Sequence, residues 1–163
     1  MNVPYQTIYT SPLGEILISA DEHYITKIHF LEEEEKRPAK KSSPLLTVCM
    51  QQLNSYFAGS LKNFDLPISQ EGTQFQQKVW KALLDVPFGK TSTYLQLSKK
   101  IGNMKAIRAV GAANGQNDIA IVVPCHRITG SNGSLVGYAG GLWRKKWLLQ
   151  HEGKTAGGML TLF

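Results

Sequence analysis

The chain has 163 residues, 42% of them hydrophobic, and no apolar run near the roughly 20 residues that cross a bilayer, which excludes a membrane helix and leaves one good core or two small domains. Its start, Met1-Asn2-Val3-Pro4-Tyr5, lacks the basic end and apolar core of a signal peptide, so a cytoplasmic protein is expected. The net charge of +6 is unevenly shared: up to Glu71 six Lys and Arg face nine acids, whereas the rest carries 12 against three, which points to a polyanion partner on one part only.

The first 30 residues read as an antiparallel meander. Residues 5–10 form one strand, Ser11-Pro12-Leu13-Gly14 a turn, and Ile16, Leu17 and Ile18 a second strand. Tyr24, Ile25, Ile28 and Phe30 form a third, beyond a turn near Asp21-Glu22. The charged run 32–38 is a solvated loop with no function assigned. Leu45, Leu46, Val48, Cys49, Leu53, Tyr56 and Phe57 repeat at helical spacing and Gly59 stops the helix. Cys49 lies in that stripe, so its role is core packing. Residues 64–68 suit a last short strand, and 69–72 a linker. These patterns predict an α+β fold with a first domain over residues 1–71 and a second over 72–163.

From Thr73 the character is helical. Thr73 is an N-cap, and Phe75, Val79, Trp80, Leu83 and Leu84 make an apolar face that ends at Pro87-Phe88-Gly89-Lys90. Ser92 or Thr93 caps a helix through Tyr94, Leu95, Leu97 and Ile101. Gly102-Asn103 turns the chain, and a second helix runs from about Lys105 to Ala113. Two short helices joined by a glycine turn form a helix-turn-helix pattern, which fits either DNA binding or an ordinary helical hairpin. In the second helix Ala106, Ala109, Gly111, Ala112 and Ala113 are small and Arg108 is large and cationic. Such a slim helix suits a narrow groove, with Arg108 filling the space of an extruded base; tight packing in a core is the alternative.

The apolar run Ile121-Val122-Val123-Pro124 reads as a buried strand closing on a turn that holds Cys125, with His126 and Arg127 adjoining it. Thiolate population depends on nearby cations and bases, so this is a candidate nucleophile, although the cysteine can equally be structural. Gly133, Gly137, Gly140 and Gly141 make a loop around Tyr138 suited to covering a flat ligand. A last helix carries an apolar stripe of Leu142, Trp143, Trp147 and Leu148 and ends at His151-Glu152, whose carboxylate can orient an imidazole. The two cysteines show no CxxC spacing and no disulfide is expected in the cytosol.

Pro124-Cys125-His126-Arg127 resembles the active-site motif of the O6-alkylguanine-DNA alkyltransferases, the methylated-DNA–protein-cysteine methyltransferase family. The resemblance runs from about Gly72 to Gly153. It includes Gly72-Thr73, Phe75, Val79-Trp80, Pro87-Phe88-Gly89, Thr93-Tyr94, Arg108-Ala109-Val110-Gly111 and Asn117. It also includes Gly137-Tyr138-Ala139-Gly140-Gly141-Leu142 and Trp147-Leu148-Leu149 with His151-Glu152-Gly153. The N-terminal part resembles the family only in its strand and helix pattern.

The resemblance implies a ribonuclease-H-like N-terminal domain and a mainly helical, winged-helix-like DNA-binding domain. It implies direct-reversal repair in which the partner is double-stranded DNA containing alkylated guanine. The alkyl group on guanine O6, and on thymine O4, passes irreversibly to Cys125 in one turnover per molecule. By the same resemblance Arg108 replaces the flipped base, Tyr94 stabilises the leaving guanine at N3, and the Cys125 and Ile128 carbonyls read the exocyclic amine. The Ala139 N–H lies near O6, His126 takes the thiol proton through a water, Glu152 polarises His126, and Asn117 braces the turn. Ala109, Gly111, Arg127, Tyr138 and Gly140 complete the substrate- and DNA-binding set. Some members carry zinc in the N-terminal domain. Here His23 and His29 have only Cys49 beside them, so no metal and no cofactor are expected. A monomer is expected, with cooperativity on DNA left open. Two other readings stand beside this one: a non-catalytic recognition module or winged-helix regulator with a structural Cys125, and a cysteine hydrolase, which the Cys125-His126 adjacency makes awkward.

Overall fold

Alternating apolar residues and a two-residue turn make β1 (Tyr5–Ser11), β2 (Gly14–Ala20) and β3 (Ile25–Phe30) the antiparallel meander that the sequence predicts, in a computed structural model that describes residues 4–157. Gly14 takes φ 102°, a left-handed conformation that closes the turn, and Ser11 Oγ donates to the Gly14 carbonyl at 2.8 Å. The central strand supplies the fully buried Ile16, Ile18 and Ala20, with Ile18 opposite Thr7 on one side and Ile28 on the other. Tyr24, expected in β3, lies before it and is exposed.

Helix α1 (Pro44–Phe57) is capped by Ser43, whose Oγ accepts from the Leu46 N–H, and it packs on β1 and β2. Leu46, Cys49, Leu53 and Tyr56 are its buried face. Cys49 is therefore a packing residue, and burial pushes its thiol up to about 12.

One expectation is corrected here. Residues 64–68 make no strand: one parallel bridge joins Ile68 to Ile25, and Pro67, which has no N–H to donate, stops a ladder from running on. The charged run 32–38 is a solvated loop as expected, and it is internally paired. Glu35 lies 3.0 Å from His29 Nε2, and Arg37 donates to the Glu32 and Glu35 carbonyls and, at 3.0 Å, to Glu15 Oε1. Residues 118–120 also belong to this unit through backbone bonds of Ile28 to the Asp118 carbonyl and from the Ala120 N–H.

The second unit holds residues 71–117 and the chain from 121 on. Helix α2 (Gln74–Leu83) begins with a capping box between Thr73 and Gln76 and buries Val79, Trp80, Ala82 and Leu83, while Leu84 is exposed rather than part of the apolar face. A two-residue strand β4 (Ser92–Thr93) leads into α3 (Tyr94–Lys100), where Thr93 and Gln96 form a second capping box. Gly102 at φ 85° and Asn103 turn the chain into one 3₁₀ turn, Met104–Ala106, and α4 (Ile107–Gly115) follows. Trp80 Nε1 donates to the Ala113 carbonyl at 2.8 Å and ties α2 to α4. Strand β5 (Ile128–Thr129) pairs in parallel with β4, and α5 (Leu142–Thr155) closes the unit.

The fold is α+β, as the sequence indicates. Among the described residues no helix is long and apolar enough to cross a membrane, and no three His, Cys, Asp or Glu gather to hold a metal ion. Both cysteines are free. Residues 158–163, including the tail residues Met159, Leu160, Leu162 and Phe163, and Met1, Asn2 and Val3 lie outside the described residues.

Candidate active site

The run before Cys125 is a turn and not a strand. Its apolarity reflects burial, with Ile121 and Val123 each at 1% exposure. Ile121 sits at φ 71°, a region that costs a β-branched residue about 1–3 kcal/mol and persists only where the surroundings over-determine it. The Cys125 N–H then bonds the Val123 carbonyl at 2.8 Å, and Cys125–Arg127 form one 3₁₀ turn. With three residues per turn, successive side chains diverge by about 120°, so Cys125, His126 and Arg127 each face different partners.

Cys125 is 6% exposed. Asn117 Nδ2 donates to its Sγ at 3.3 Å and to the Val123 carbonyl at 2.9 Å, binding the thiol to the turn that carries it. Burial pushes the thiol's pKa up, while the Asn117 hydrogen bond and the charge of Lys145 draw it down. Lys145 is fully buried on α5 and donates from Nζ to the Val136 carbonyl at 2.9 Å and the Gly137 carbonyl at 3.2 Å. Its ammonium is pushed down to about 8 by burial, with Cys125 acting in the opposite sense.

His126 and Glu152 are both 0% exposed. His126 Nε2 lies 2.8 Å from Glu152 Oε2, and Arg127 donates from Nε to Oε1 at 2.8 Å and from Nη2 to Oε2 at 3.0 Å. Burial alone would raise the Glu152 carboxyl, but His126 and Arg127 outweigh it and hold it well below the usual carboxylate range. Burial also lowers the His126 pKa in spite of Glu152. The consistent state is an ionised Glu152, a charged Arg127 and a neutral imidazole whose proton is on Nε2 and donates to Glu152. Its Nδ1 is then an acceptor, and this buried atom has no hydrogen-bond partner among the described residues. The turn therefore presents a thiol, an imidazole able to take a proton, and a buried counter-ion that fixes the imidazole's tautomer.

Arg127, expected among the DNA-binding residues, is placed otherwise. It is 7% exposed, its third donor goes to the Val86 carbonyl at 2.8 Å, and its guanidinium lies over the Phe88 ring. Arg108 is exposed on α4 with no ion pair among the described residues, and Ala109 and Ala112 are exposed beside it. The same face is not uniformly small, because Met104 and Ile107 are exposed too. Tyr94 donates to the Val136 carbonyl at 3.4 Å; burial raises its phenol, and a hydrogen bond from Asn114 opposes that. Gly111 lies along the Tyr94 ring, which an added Cβ would meet at 3.8 Å. Ile128 is buried in β5, Tyr138 has its phenol raised well above normal by burial, Ala139 is exposed, and the buried Gly140 accepts from Arg144 at 3.0 Å.

The last helix departs from its expected stripe. Leu142 and Trp143 are exposed, and the buried face carries Arg144, Lys145, Leu148, Leu149 and Glu152. Sequence reasoning missed Lys145 and Asn114. Their spacing was available as a signal: Lys145 precedes Leu148, Leu149 and Glu152 by three, four and seven residues, and Asn114 follows Val110 by four, so each lies on the buried side of its helix. Polarity argued against reading them as interior.

Comparison with known proteins gives the same two parts. The family model described as 6-O-methylguanine DNA methyltransferase, DNA binding domain, matches residues 74–154, and the one described as its ribonuclease-like domain matches residues 5–70. A methylated-DNA–protein-cysteine methyltransferase of Methanosarcina acetivorans is 46% identical over 91% of this chain and 98% of its own length. That of Mycobacterium tuberculosis is 44% identical over 99% of both chains. The crystal structure of Mycobacterium tuberculosis OGT in complex with DNA superposes with a TM-score of 0.86 at 41% identity, covering 93% of this chain and 94% of that one.

Proposed function

The chain belongs to the methylated-DNA–protein-cysteine methyltransferase family, and from that membership we propose that it repairs alkylated DNA by moving the alkyl group from guanine O6, or thymine O4, to its own Cys125. The observation that carries this reading is the pairing on one turn of Cys125 Sγ, held by Asn117, with a neutral His126 whose Nε2 is taken by Glu152.

The second unit grips duplex DNA. It carries 12 Lys and Arg, and Arg108 stands exposed on a slim helix, suited to fill the space of the extruded base. The alkylated guanine enters the space beside Cys125. The thiol proton passes through a water to His126 Nδ1, and the thiolate attacks the alkyl carbon. A sulfur–carbon bond forms as the carbon–O6 bond breaks, and the guanine leaves with a proton supplied at N3 by Tyr94. Glu152 keeps the imidazole in the required tautomer, and Arg127 is a positioning residue that keeps Glu152 ionised. Asn117 and Lys145 favour the thiolate, and the segment from Gly137 to Gly140 lies against the base, with the Ala139 N–H toward O6. A thioether is a poor leaving group and the other cysteine, Cys49, is buried in the other unit, so each molecule acts once. Residues 1–71 serve as a structural domain and residues 72–163 carry the DNA grip and the transfer. The protein works in the cytoplasm as a monomer on DNA.

Intact mass after incubation with duplex DNA containing methylated guanine tests this. One added methyl, mapped to Cys125 and absent from Cys125→Ser, is expected. Tight DNA binding with no mass change would instead make the chain a recognition module, and repeated turnover would exclude a single-use acceptor.

A further inference from the structure

Asn114 lies on the buried side of α4 at 5% exposure. Its Nδ2 donates to the Cys125 carbonyl at 3.4 Å, and it also hydrogen-bonds the Tyr94 hydroxyl. Reversing the carboxamide would set its oxygen against the carbonyl oxygen of Cys125, acceptor to acceptor, so Oδ1 is the end turned away. That Oδ1 is buried and has no hydrogen-bond partner among the described residues. A buried acceptor without a donor is costly, and such atoms in folded proteins need a reason.

The neighbours of Asn114 supply one. In guanine, N3 and the exocyclic 2-amino group are adjacent on one edge of the ring. Under the alkyl-transfer reading Tyr94 serves N3 and the Cys125 and Ile128 carbonyls were expected to serve the amine. The Cys125 carbonyl, however, already accepts the Ile128 N–H as well as Asn114 Nδ2, which occupies both of its lone pairs. Asn114 Oδ1 is a buried acceptor left open on the side chain that bonds both the Cys125 carbonyl and Tyr94.

We propose that Asn114 is a specificity-determining residue: its Oδ1 accepts a hydrogen bond from the 2-amino group of the extruded guanine, while its Nδ2 holds Tyr94 and the Cys125 turn in register with the same edge. The inference rests on the alkyl-transfer reading. Among O6-alkylated purines the chain favours those bearing a 2-amino group, through a side chain as well as through the backbone of the thiol turn.

The test compares methyl transfer from two duplexes that differ only in the damaged base, O6-methylguanine or O6-methylhypoxanthine, which lacks the 2-amino group. Single-turnover rates are measured for the wild type, Asn114→Leu and Asn114→Asp. The wild type is expected to favour O6-methylguanine. Asn114→Leu, of similar size but with no polar atom, should lose about threefold to tenfold of that preference, the worth of one neutral hydrogen bond. Asn114→Asp keeps an acceptor and should keep the preference even where its rates fall. Because the preference is compared between proteins on the same two duplexes, differences in extrusion cost between the bases cancel. An equal fall on both bases in Asn114→Leu, with the preference intact, would overturn the proposal and leave Asn114 a structural residue. A wild-type preference near one would overturn it as well, even if Asn114→Leu fails to fold. A wild type that gains no methyl from either duplex overturns the alkyl-transfer reading itself, and this inference with it.

Discussion

Cys49 and Cys125 are almost equally hidden, at 0% and 6% exposure, and burial raises both thiols. Cys49 lies on the buried face of α1, where burial pushes it up to about 12. Cys125 has an amide N–H at its sulfur, a buried ammonium nearby and an imidazole on its own turn. Burial therefore does not make a nucleophile; the polar groups that burial forces into contact with it do. Two His–Glu–Arg clusters repeat the lesson. His29, Glu35, Arg37 and Glu15 are between 31% and 43% exposed, where water screens their pairing. His126, Glu152 and Arg127 hold the same kinds of group in the buried interior, and their charge states depend on one another.

The thiol comparison is the sharpest to break. Cys125→Ala is expected to abolish methyl uptake entirely, whereas Cys49→Ala should retain one methyl per chain in the intact-mass measurement. A methyl found on Cys49 would erase the distinction between the two sites.

The charged clusters come next. Glu152→Gln leaves a buried guanidinium without its counter-ion and should cost about 3–5 kcal/mol in urea unfolding. Glu35→Gln should cost no more than about 1 kcal/mol, because its pair is exposed. The carboxyl of Glu152 is depressed in the fold, so its contribution is complete above the unfolded value of 4.5 and is lost as pH falls through the lower folded value. The stability gap between wild type and Glu152→Gln should thus be constant above about pH 6.5, where His126 is neutral, and be lost at the acid extreme where Glu152 itself is protonated. A gap that persists undiminished at the acid extreme, where Glu152 itself is protonated, would contradict the buried ion pair.

Arg108 compares an exposed cation with the buried Arg127 in the same unit. Arg108→Ala should slow methyl transfer from duplex DNA on the order of tenfold to a hundredfold, given the few kcal/mol that base extrusion costs, and leave melting temperature and reaction with a free alkylated base unchanged. Equal losses on both substrates would remove Arg108 from base extrusion. The smallest effect concerns His126. Its pKa lies below 6.5, so transfer rates measured against pH should hold through pH 6.5 and decline only at more acid values. A midpoint above 6.5 would mean that the imidazole is charged in the resting protein.

The meander, α1, the Thr73 and Thr93 N-caps and the glycine turn before α4 were legible because each depends on residues close in sequence: alternation, an N-cap Ser or Thr, a Gly-Asn pair. The strand expected at 64–68 and the one expected before Cys125 failed for a common reason. An apolar run reports burial, and burial is satisfied equally well by a turn such as that at Ile121. The stripe on α5 failed in the opposite direction. Lys145, Arg144 and Glu152 occupy its buried face because interior acceptors and charges await them there, which no local hydrophobic count anticipates.

The sequence by itself carried the resemblance that places the chain in its family, because Pro124-Cys125-His126-Arg127 and Arg108-Ala109-Val110-Gly111 are runs of adjacent residues. Only the tertiary structure decided what each of them touches. Glu152 reaches His126 and Arg127 from 26 and 25 residues away, and Asn114 reaches the Cys125 carbonyl from 11. A side chain's charge state follows from its desolvation and its nearest charges, and both are set by what the fold brings within about 4–6 Å rather than by what stands next in the chain.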